Sequence, residues 1–368
     1  MSLDFRFAIA SDLHIALPHT VATHQNRFHR CEVSIPILET VLERLSGLEI
    51  DFLLLPGDLT QDGEPENHQW LSERLSQLPY PVFVVPGNHD VIQPMGDDRA
   101  IGLHDFPDYY QAFGYGESGQ LYYTRPLMPG VRLIGLNSNQ FNAEGKQIGC
   151  LDEQQLQWLE RVLTKYQDEL VLVMVHHNII EHLPGQTHHP LGRRYMLSNA
   201  PDLLALLQSA GVNLIFTGHL HVQDIVWQEG IYEITTGSLV SYPHPYRILH
   251  YRTGSQGQAW LQVESGRVES IPNWPDLPAR SRQWIGDRSF PFMRRLLVEP
   301  PLSLSEAEAK AIAPKLEYFW ADIAQGDNLF HLPELPPAVR RYLETFSAID
   351  PEGVPTLIDN HASLLVKG

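Results

Sequence analysis

The chain has 368 residues, 43% of them apolar and 19% charged, an ordinary globular composition that excludes disorder and coiled coil. Its formal charge of −18 disfavours a broad nucleic-acid-binding face, because duplex affinity depends on phosphate neutralisation by Lys and Arg. No apolar run approaches the roughly 20 residues needed to span a bilayer, so no membrane partner is expected.

The opening Met-Ser-Leu-Asp-Phe-Arg lacks the long apolar segment of a secretory signal, and a cytoplasmic location is the expectation. Cys31 and Cys150, without a CxxC pair, are then expected to be reduced. The length calls for one large domain plus an extension, or for two domains.

An apolar run, Phe7–Ala8–Ile9–Ala10, is followed by Asp12 and His14. The spacing of Ile35, Leu38, Val41, Leu42 and Leu45 predicts a helix over about 35–45. A strand at 51–55 leads to Gly57-Asp58, a helix follows near 66–75, and a strand at 81–85 leads to Gly87-Asn88-His89-Asp90. Residues 91–120, rich in Gly, Pro and Asp, read as a surface excursion. Strand-like runs return at 121–124 and 131–136. Asp152 with Gln155 resembles a capping box ahead of Leu156, Leu159 and Leu163 at helical spacing. A strand at 170–175 delivers His176-His177, and a long loop spans 179–199. Helix 201–210 and strand 212–216 precede Gly218-His219-Leu220-His221. Strands predicted at 224–227, 231–235, 246–251 and 259–263 are close enough to pair antiparallel. Two packed sheets flanked by helices fit this order.

Composition changes after Ile271, where Pro272, Trp274, Pro275 and Pro278 mark a boundary. The division is a catalytic domain over 1–271 and a helical extension over 272–368. Ser305-Glu306-Ala307-Glu308 begins a helix that Pro314 should kink or split. Pro336-Pro337 starts another, with Tyr342 and Phe346 on a packing face. The extension carries no catalytic motif; capping the site and homo-oligomerisation are the roles open to it.

Each of the five polar motifs follows a run that reads as a buried strand, and residues at the carboxyl ends of parallel strands converge on one rim. Side chains two apart in an extended segment point the same way. Asp12 and His14 can therefore reach one ion, as can His219 and His221 if the backbone stays extended. Gly57, Gly87 and Gly218 suit turns that need positive φ or a close approach. The donors are imidazole, carboxylate and amide without thiolate, a set suited to Mn²⁺, Fe or Zn²⁺. Asp12, His14, Asp58, Asn88, His219, His221 and one of His176 and His177 are too many for one ion. They suit two that share Asp58, whose carboxylate has two oxygens. Two ions about 3.5–4 Å apart can activate a water and stabilise both oxygens of an in-line displacement at phosphorus.

The segments SDLHI, LLPGDLTQDG, VVPGNHD, MVHHN and FTGHLH resemble the calcineurin-like metallophosphoesterases over about residues 5–265. Within them they look most like the bacterial class III cyclic-nucleotide phosphodiesterase branch. The resemblance implies an α/β fold, a four-layer α/β/β/α sandwich with a dinuclear centre, here followed by the C-terminal helical extension. Carried over by position, it implies one site of Asp12, His14, Asp58 and His221. The other would use Asp58, Asn88, His176 and His219. It places His89 near the leaving-group oxygen as proton donor, with Asp90 orienting His89. The implied activity is hydrolysis of a small phosphorylated substrate, a phosphodiester such as a cyclic nucleotide, by a metal-bridging hydroxide on two divalent or mixed-valence ions (Mn, Fe or Zn). Phosphomonoester or pyrophosphate hydrolysis on the same centre is the alternative; a non-catalytic scaffold for protein partners is the rival from another class.

The chain departs from that branch in places. Asn178 follows the paired histidines where the branch often has proline, and the loop 186–195 carries His188, His189, Arg193 and Arg194. Substrate contact by the two arginines is open, since charged loops are usually just solvated. Trp158 reads as core rather than as a stacking platform. Histidines outside the motifs, among them His24, His29, His68, His331 and His361, need no function on this reading.

Overall fold

Central strands buried on both faces assemble two facing sheets in the computed structural model, which describes residues 2–21, 27–350 and 352–367. In the first sheet β1 (Asp4–Ile9), β2 (Phe52–Leu55) and β3 (Val82–Val84) run parallel. Helices α1 (Ser34–Ser46) and α2 (Pro65–Leu75) make the crossovers. A short helix, α3 (Phe106–Tyr109), lies within the excursion over 91–120.

The second sheet begins with β4 (Tyr123–Met128) and β5 (Val131–Gly135). A separate hairpin follows, β6 (Asn139–Phe141) with β7 (Gln147–Gly149). Helix α4 (Glu153–Lys165) leads into β8 (Leu170–Met174), and α5 (Ala200–Ser209) into β9 (Leu214–Thr217). The chain continues through β10 (Asp224–Gln228) and β11 (Ile231–Thr235), giving the order β10-β11-β9-β8-β5-β4. It then returns to the first sheet as β12 (Pro245–Thr253) and β13 (Ala259–Arg267), antiparallel as expected.

Period two decides which layer each side chain enters. Leu172, Met174, Leu214 and Phe216 face the first sheet, whereas Val173 and Ile215 face α4 and α5. Phe7 meets Phe216 edge-on at 5.5 Å between ring centroids, joining the sheets. Each such fully buried side chain contributes about 1.5–3 kcal/mol. Helices therefore cover both outer faces of an α/β sandwich.

Several boundaries shift for physical reasons. β4 runs through Pro126, which is tolerated because β4 is an edge strand and its register slips between Pro126 and Met128. Asp152 caps α4, accepting from the Gln155 N–H at 2.7 Å, but the Gln155 side chain turns inward to the Asn137 backbone instead of closing the box. Trp158 packs on Tyr122, with ring centroids 4.7 Å apart.

The extension contains α6 (Leu277–Val298), α7 (Glu306–Ile312), α8 (Phe319–Ala324) and α9 (Pro337–Glu344). Pro278 sits in the first turn of α6, where its missing N–H costs nothing, and Pro291 lies inside the helix. Ser305 and Glu308 close a capping box on α7, and Pro314 ends α7 in a 3₁₀ turn. These helices share an apolar core, including Ile285, Leu297, Trp320 and Leu343, into which Leu220 and Val222 also insert. The last segment is not helical: β14 (His361–Lys367) pairs antiparallel with β13 at the edge of the first sheet. Among the described residues no helix is long and apolar enough to cross a membrane.

Candidate metal centre

The five motifs meet just beyond the carboxyl ends of β1, β2, β3, β8 and β9. Asp12, His14, Asp58 and His221 form one group, with one ligand atom from each lying within 4.8 Å of the others; Asp58, His176 and His219 form a second. Asp58 belongs to both. Its Oδ2 lies 3.8 Å from His14 Nε2, and its Oδ1 lies 3.4 Å from His176 Nε2. Asn88 Oδ1 is 3.2 Å from His176 Nε2, beside the second group. His221 Nε2 is 3.1 Å from Asp12 Oδ1.

The backbone that achieves this is not extended, which corrects the geometric reason given for the D-x-H and H-x-H spacings. Asp12, His14, Asp58, His219 and His221 all have positive φ, between 43° and 66°. A left-handed residue other than glycine costs about 1–2 kcal/mol, and such conformations persist only where surrounding contacts enforce them. Those contacts run between the loops. Asp12 N–H donates to the Gly57 carbonyl, His14 N–H to the Asp58 carbonyl and Gly218 N–H to the His176 carbonyl. His219 N–H donates back to the Asp12 carboxylate at 3.1 Å. Of the three expected glycines, only Gly57 has positive φ. Gly87 and Gly218 serve close approach instead, since a Cβ would collide with Asp58 at the first and with Ser11 and Asp12 at the second.

The histidines arrive with their tautomers arranged. His176 Nδ1 lies 2.8 Å from the Pro56 carbonyl, and His219 Nε2 lies 3.3 Å from the Arg194 carbonyl. A carbonyl only accepts, so each of these nitrogens donates. The other two, His176 Nε2 and His219 Nδ1, face one another at 3.1 Å as lone pairs when the rings are neutral. His14 Nε2 and His221 Nε2 likewise lie 3.3 Å apart. A cation satisfies such convergent lone pairs, and the donor set of imidazole, carboxylate and amide suits a divalent transition metal. The residues fit the implied metals.

Burial pushes His14 and His219 well below the ordinary imidazole pKa, with the neighbouring histidines adding to it, so both rings are neutral at pH 7, the form in which an imidazole can take a metal. Burial would raise Asp58, but His176 and His89 outweigh it and hold its carboxyl well below the usual range. His177 lies outside both ligand groups. Its Nδ1 is 2.7 Å from Ser138 Oγ, its ring is 4.4 Å from that of His219, and burial lowers it to about 3.

His89 stands beside the centre. Its Nδ1 is 2.8 Å from the Gln61 carbonyl, and its N–H donates to Asp58 Oδ1. The expected role of Asp90 is corrected here: it does not hold His89. The buried Asp90 carboxylate accepts from the N–H groups of Leu59, Thr60 and Gly87 and so ties the β2 loop to the β3 loop. The Gln61 carbonyl orients His89, with Asp62 Oδ1 3.8 Å away.

Three contributors were not anticipated. His29, assigned no function above, is buried with its ring stacked on His14 at 4.1 Å and 9°, and it groups with His14 and His221. Nothing in the sequence around Phe28-His29-Arg30 repeats the strand-then-motif pattern. Gln147, on the β6–β7 hairpin, donates to the carbonyls of Asn88 and Val91 and braces that loop. Glu233, fully buried in β11, accepts from the N–H groups of Ile179 and Ile180 and from Thr217 and Asn178. It thereby joins the chain after His176 to the strand before His219; a carboxylate inside the apolar run Ile231–Ile234 is the signal that could have found it. His68 is structural, bonded to Tyr110 and the Asp90 carbonyl. His331 and His361 are exposed, and His24 lies outside the described residues.

The centre opens into a cavity of about 630 Å³ whose far wall comes from the extension: Arg288, Pro291, Phe292, Arg295 and Trp320. The extension caps the site. Arg194 also lines the cavity, whereas Arg193 is exposed outside it.

Comparison with known proteins agrees with this geometry. The family model described as calcineurin-like phosphoesterase matches residues 5–223. The chain is 30% identical over 184 residues to a probable glycerophosphodiester phosphodiesterase of Arcobacter nitrofigilis, covering 49% of this chain and 60% of that protein. The match thus spans less than two thirds of that relative's length. It is 26% identical over 206 residues to a 3′,5′-cyclic-nucleotide phosphodiesterase of Nostoc sp., covering 55% of this chain and 68% of the other. Among solved structures, a dimetal phosphatase from Danio rerio superposes with a TM-score of 0.52 at 17% identity, over 72% of this chain and 96% of that one. That likeness concerns the fold alone.

Proposed function

The chain belongs to the calcineurin-like phosphoesterase family, and from that membership we propose a dinuclear metal-dependent phosphodiesterase acting on small diesters, cyclic nucleotides among them. The observation that carries the reading is Asp58, whose two oxygens face two separate ligand groups. Asp12, His14 and His221 would complete one site, and Asn88, His176 and His219 the other. Ions held there would supply Lewis acidity toward a phosphoryl oxygen and toward a water. Relatives named for glycerophosphodiester and cyclic-nucleotide hydrolysis support the diester class.

The chain's own residues supply the rest. With His89 Nδ1–H donating to the Gln61 carbonyl, Nε2 is the atom left to present a proton to the cavity. Burial would lower this imidazole, but without a cation on Asp58 that residue and Asp62 outweigh burial and raise it to about 9; Asp62 and the Gln61 carbonyl still favour its protonated form when the charge of Asp58 is shared with metal. An alkoxide is a poor leaving group, and a placed acid contributes about 10²–10⁴-fold. Asp90 fixes the separation of the loops that carry Asp58 and Asn88.

The test is hydrolysis of bis-p-nitrophenyl phosphate, p-nitrophenyl phosphate and cyclic AMP by full-length protein reconstituted with Mn²⁺, with bound metal quantified. Turnover of the diesters above that of the monoester is the expected result. A faster monoester reaction would reassign the centre to phosphomonoesters. Inactivity on all three with two metals bound would leave the scaffold reading in possession.

A further inference from the structure

The cavity beside the candidate ligands is lined by more arginines than carboxylates. Four arginines line the cavity, Arg27, Arg194, Arg288 and Arg295, while Asp58 is its only carboxylate among the described residues. This is unusual in a chain of net charge −18. Two of the four are already neutralised. Arg27 pairs with Asp62 at 2.8 Å, and Arg295 with Glu299 at 2.5 Å.

Arg194 and Arg288 have no carboxylate partner among the described residues. Arg288 lies over Trp284, its Cζ 3.1 Å from the ring centroid, and its Nε is buried without a hydrogen-bond partner. Arg194 sits over the Tyr195 ring at 4.7 Å and donates to the Tyr195 hydroxyl; that ring is in turn 5.0 Å from the ring of His219. These ring contacts hold both guanidinium groups in place in advance, which favours recognition of an oxyanion. Between them run aromatic faces, with Phe292 5.1 Å from Trp320 and 5.9 Å from Phe28. The charge of the scissile phosphate would be met at the Asp58 centre, so these arginines are available to a different group of the same substrate. The volume, about 630 Å³, lies within the roughly 300–1,000 Å³ range that encloses a whole organic ligand.

We infer that the preferred substrate is a phosphodiester carrying a second oxyanionic group, received by Arg288 and Arg194, with its ring system against the aromatic wall of the cap. The inference rests on the phosphodiesterase reading and narrows it. It makes the extension a specificity element.

Two chromogenic esters test it: thymidine 5′-monophosphate p-nitrophenyl ester and the same ester bearing a 3′-phosphate. For the full-length protein reconstituted with Mn²⁺, KM for the 3′-phosphorylated ester should be about tenfold lower, the contribution of one charge-assisted contact. Replacing both arginines (Arg194→Gln with Arg288→Gln) should erase that preference, bringing the KM values of the two esters together, with Arg288→Lys in place of Arg288→Gln restoring part of it. Should the double variant not fold, Arg194→Gln alone and competitive inhibition of the wild type by thymidine 3′,5′-bisphosphate against thymidine 5′-monophosphate decide the matter. Equal KM values for the two esters together with equal inhibition by the two nucleotides overturn the inference and leave the phosphodiesterase reading standing. Failure to cleave either ester with both metals bound overturns the inference, and the phosphodiesterase reading then stands or falls on bis-p-nitrophenyl phosphate and cyclic AMP.

Discussion

The ligand rim and the C-terminal cap face each other across one cavity and are held in place differently. At the rim, five of the candidate ligands occupy left-handed backbone, Gly218 leaves no room for a Cβ, and loop-to-loop hydrogen bonds fix each turn. The cap has an apolar core of its own and presents arginines and aromatic rings to the cavity without contributing to either ligand group. Leu220, between the two histidines of the last motif, inserts into the cap core and couples the two. The difference separates labour: rim residues should govern metal loading and the chemical step, and cap residues substrate choice. It also shows that removing 272–368 is not a clean test of the cap. That deletion would strip β14 from the first sheet and uncover Leu220 beside His219 and His221.

The comparison breaks most visibly at Asp58. Asp58→Asn keeps the shape but removes the charge that both ligand groups share, so metal content should fall at both sites together. Turnover should drop by more than about 10³-fold, beyond the loss of a single electrostatic donor. Metal analysis beside turnover checks this, and a variant that still loads two ions would end the shared-carboxylate assignment. His89→Ala should behave differently, lowering turnover by about 10²–10⁴-fold with metal content intact. Parallel loss of metal and rate would place His89 among the ligands.

What could be read from the sequence follows the same division. The rim was legible because each ligand follows an apolar strand, and strand ends in an α/β sheet have one place to converge. Contacts that depend on which loops pack together were not legible. Asp90, next to His89 in sequence, turns away to bind backbone N–H groups, while Gln61, 28 residues distant, orients it. Glu233 and Gln147 act through backbone groups of other loops, which leaves no spacing signature. In the cap, the helix starts at Ser305 and Pro337 were readable from capping and proline chemistry. The inward face of α6 was not, since Arg288 and Arg295 differ from solvated arginines only through what they face.

Glu233 offers a thermodynamic test of how rigidly the rim is held. His182 lies between Asp224, 2.6 Å from its Nδ1, and Glu233, 3.1 Å from its Nε2 but outside hydrogen-bond angles. Burial alone would lower His182, yet Glu233 and Asp224 outweigh it and raise it to about 10. A folded pKa raised above the ordinary 6.5 stabilises fully below pH 6.5 and is lost as pH climbs toward 10. The melting temperature should therefore decline over that window. Glu233→Gln should cost about 3–5 kcal/mol at neutral pH, as breaking a buried charge pair does, and flatten the decline. An unchanged slope in the variant would show that His182 is not charged by this pair.

The smallest expected effect concerns His29, which sharpens the boundary of the rim. Its ring stacks on His14 and one of its nitrogens lies with those of His14 and His221, yet the sequence before it carries no strand-like apolar run. If His29 acts by holding the His14 ring in place, His29→Leu should weaken metal affinity by about tenfold, the lower end for residues that orient ligands, with little change in turnover at saturating metal. Titration with Mn²⁺ followed by activity and by bound-metal analysis separates the cases. A loss of one ion at saturation would promote His29 to a ligand; unaltered affinity would make the stack mere packing. Either outcome fixes how far the metal environment extends beyond the five motifs, and whether the segment over 27–33 belongs with the rim or with the Arg27 side of the cavity.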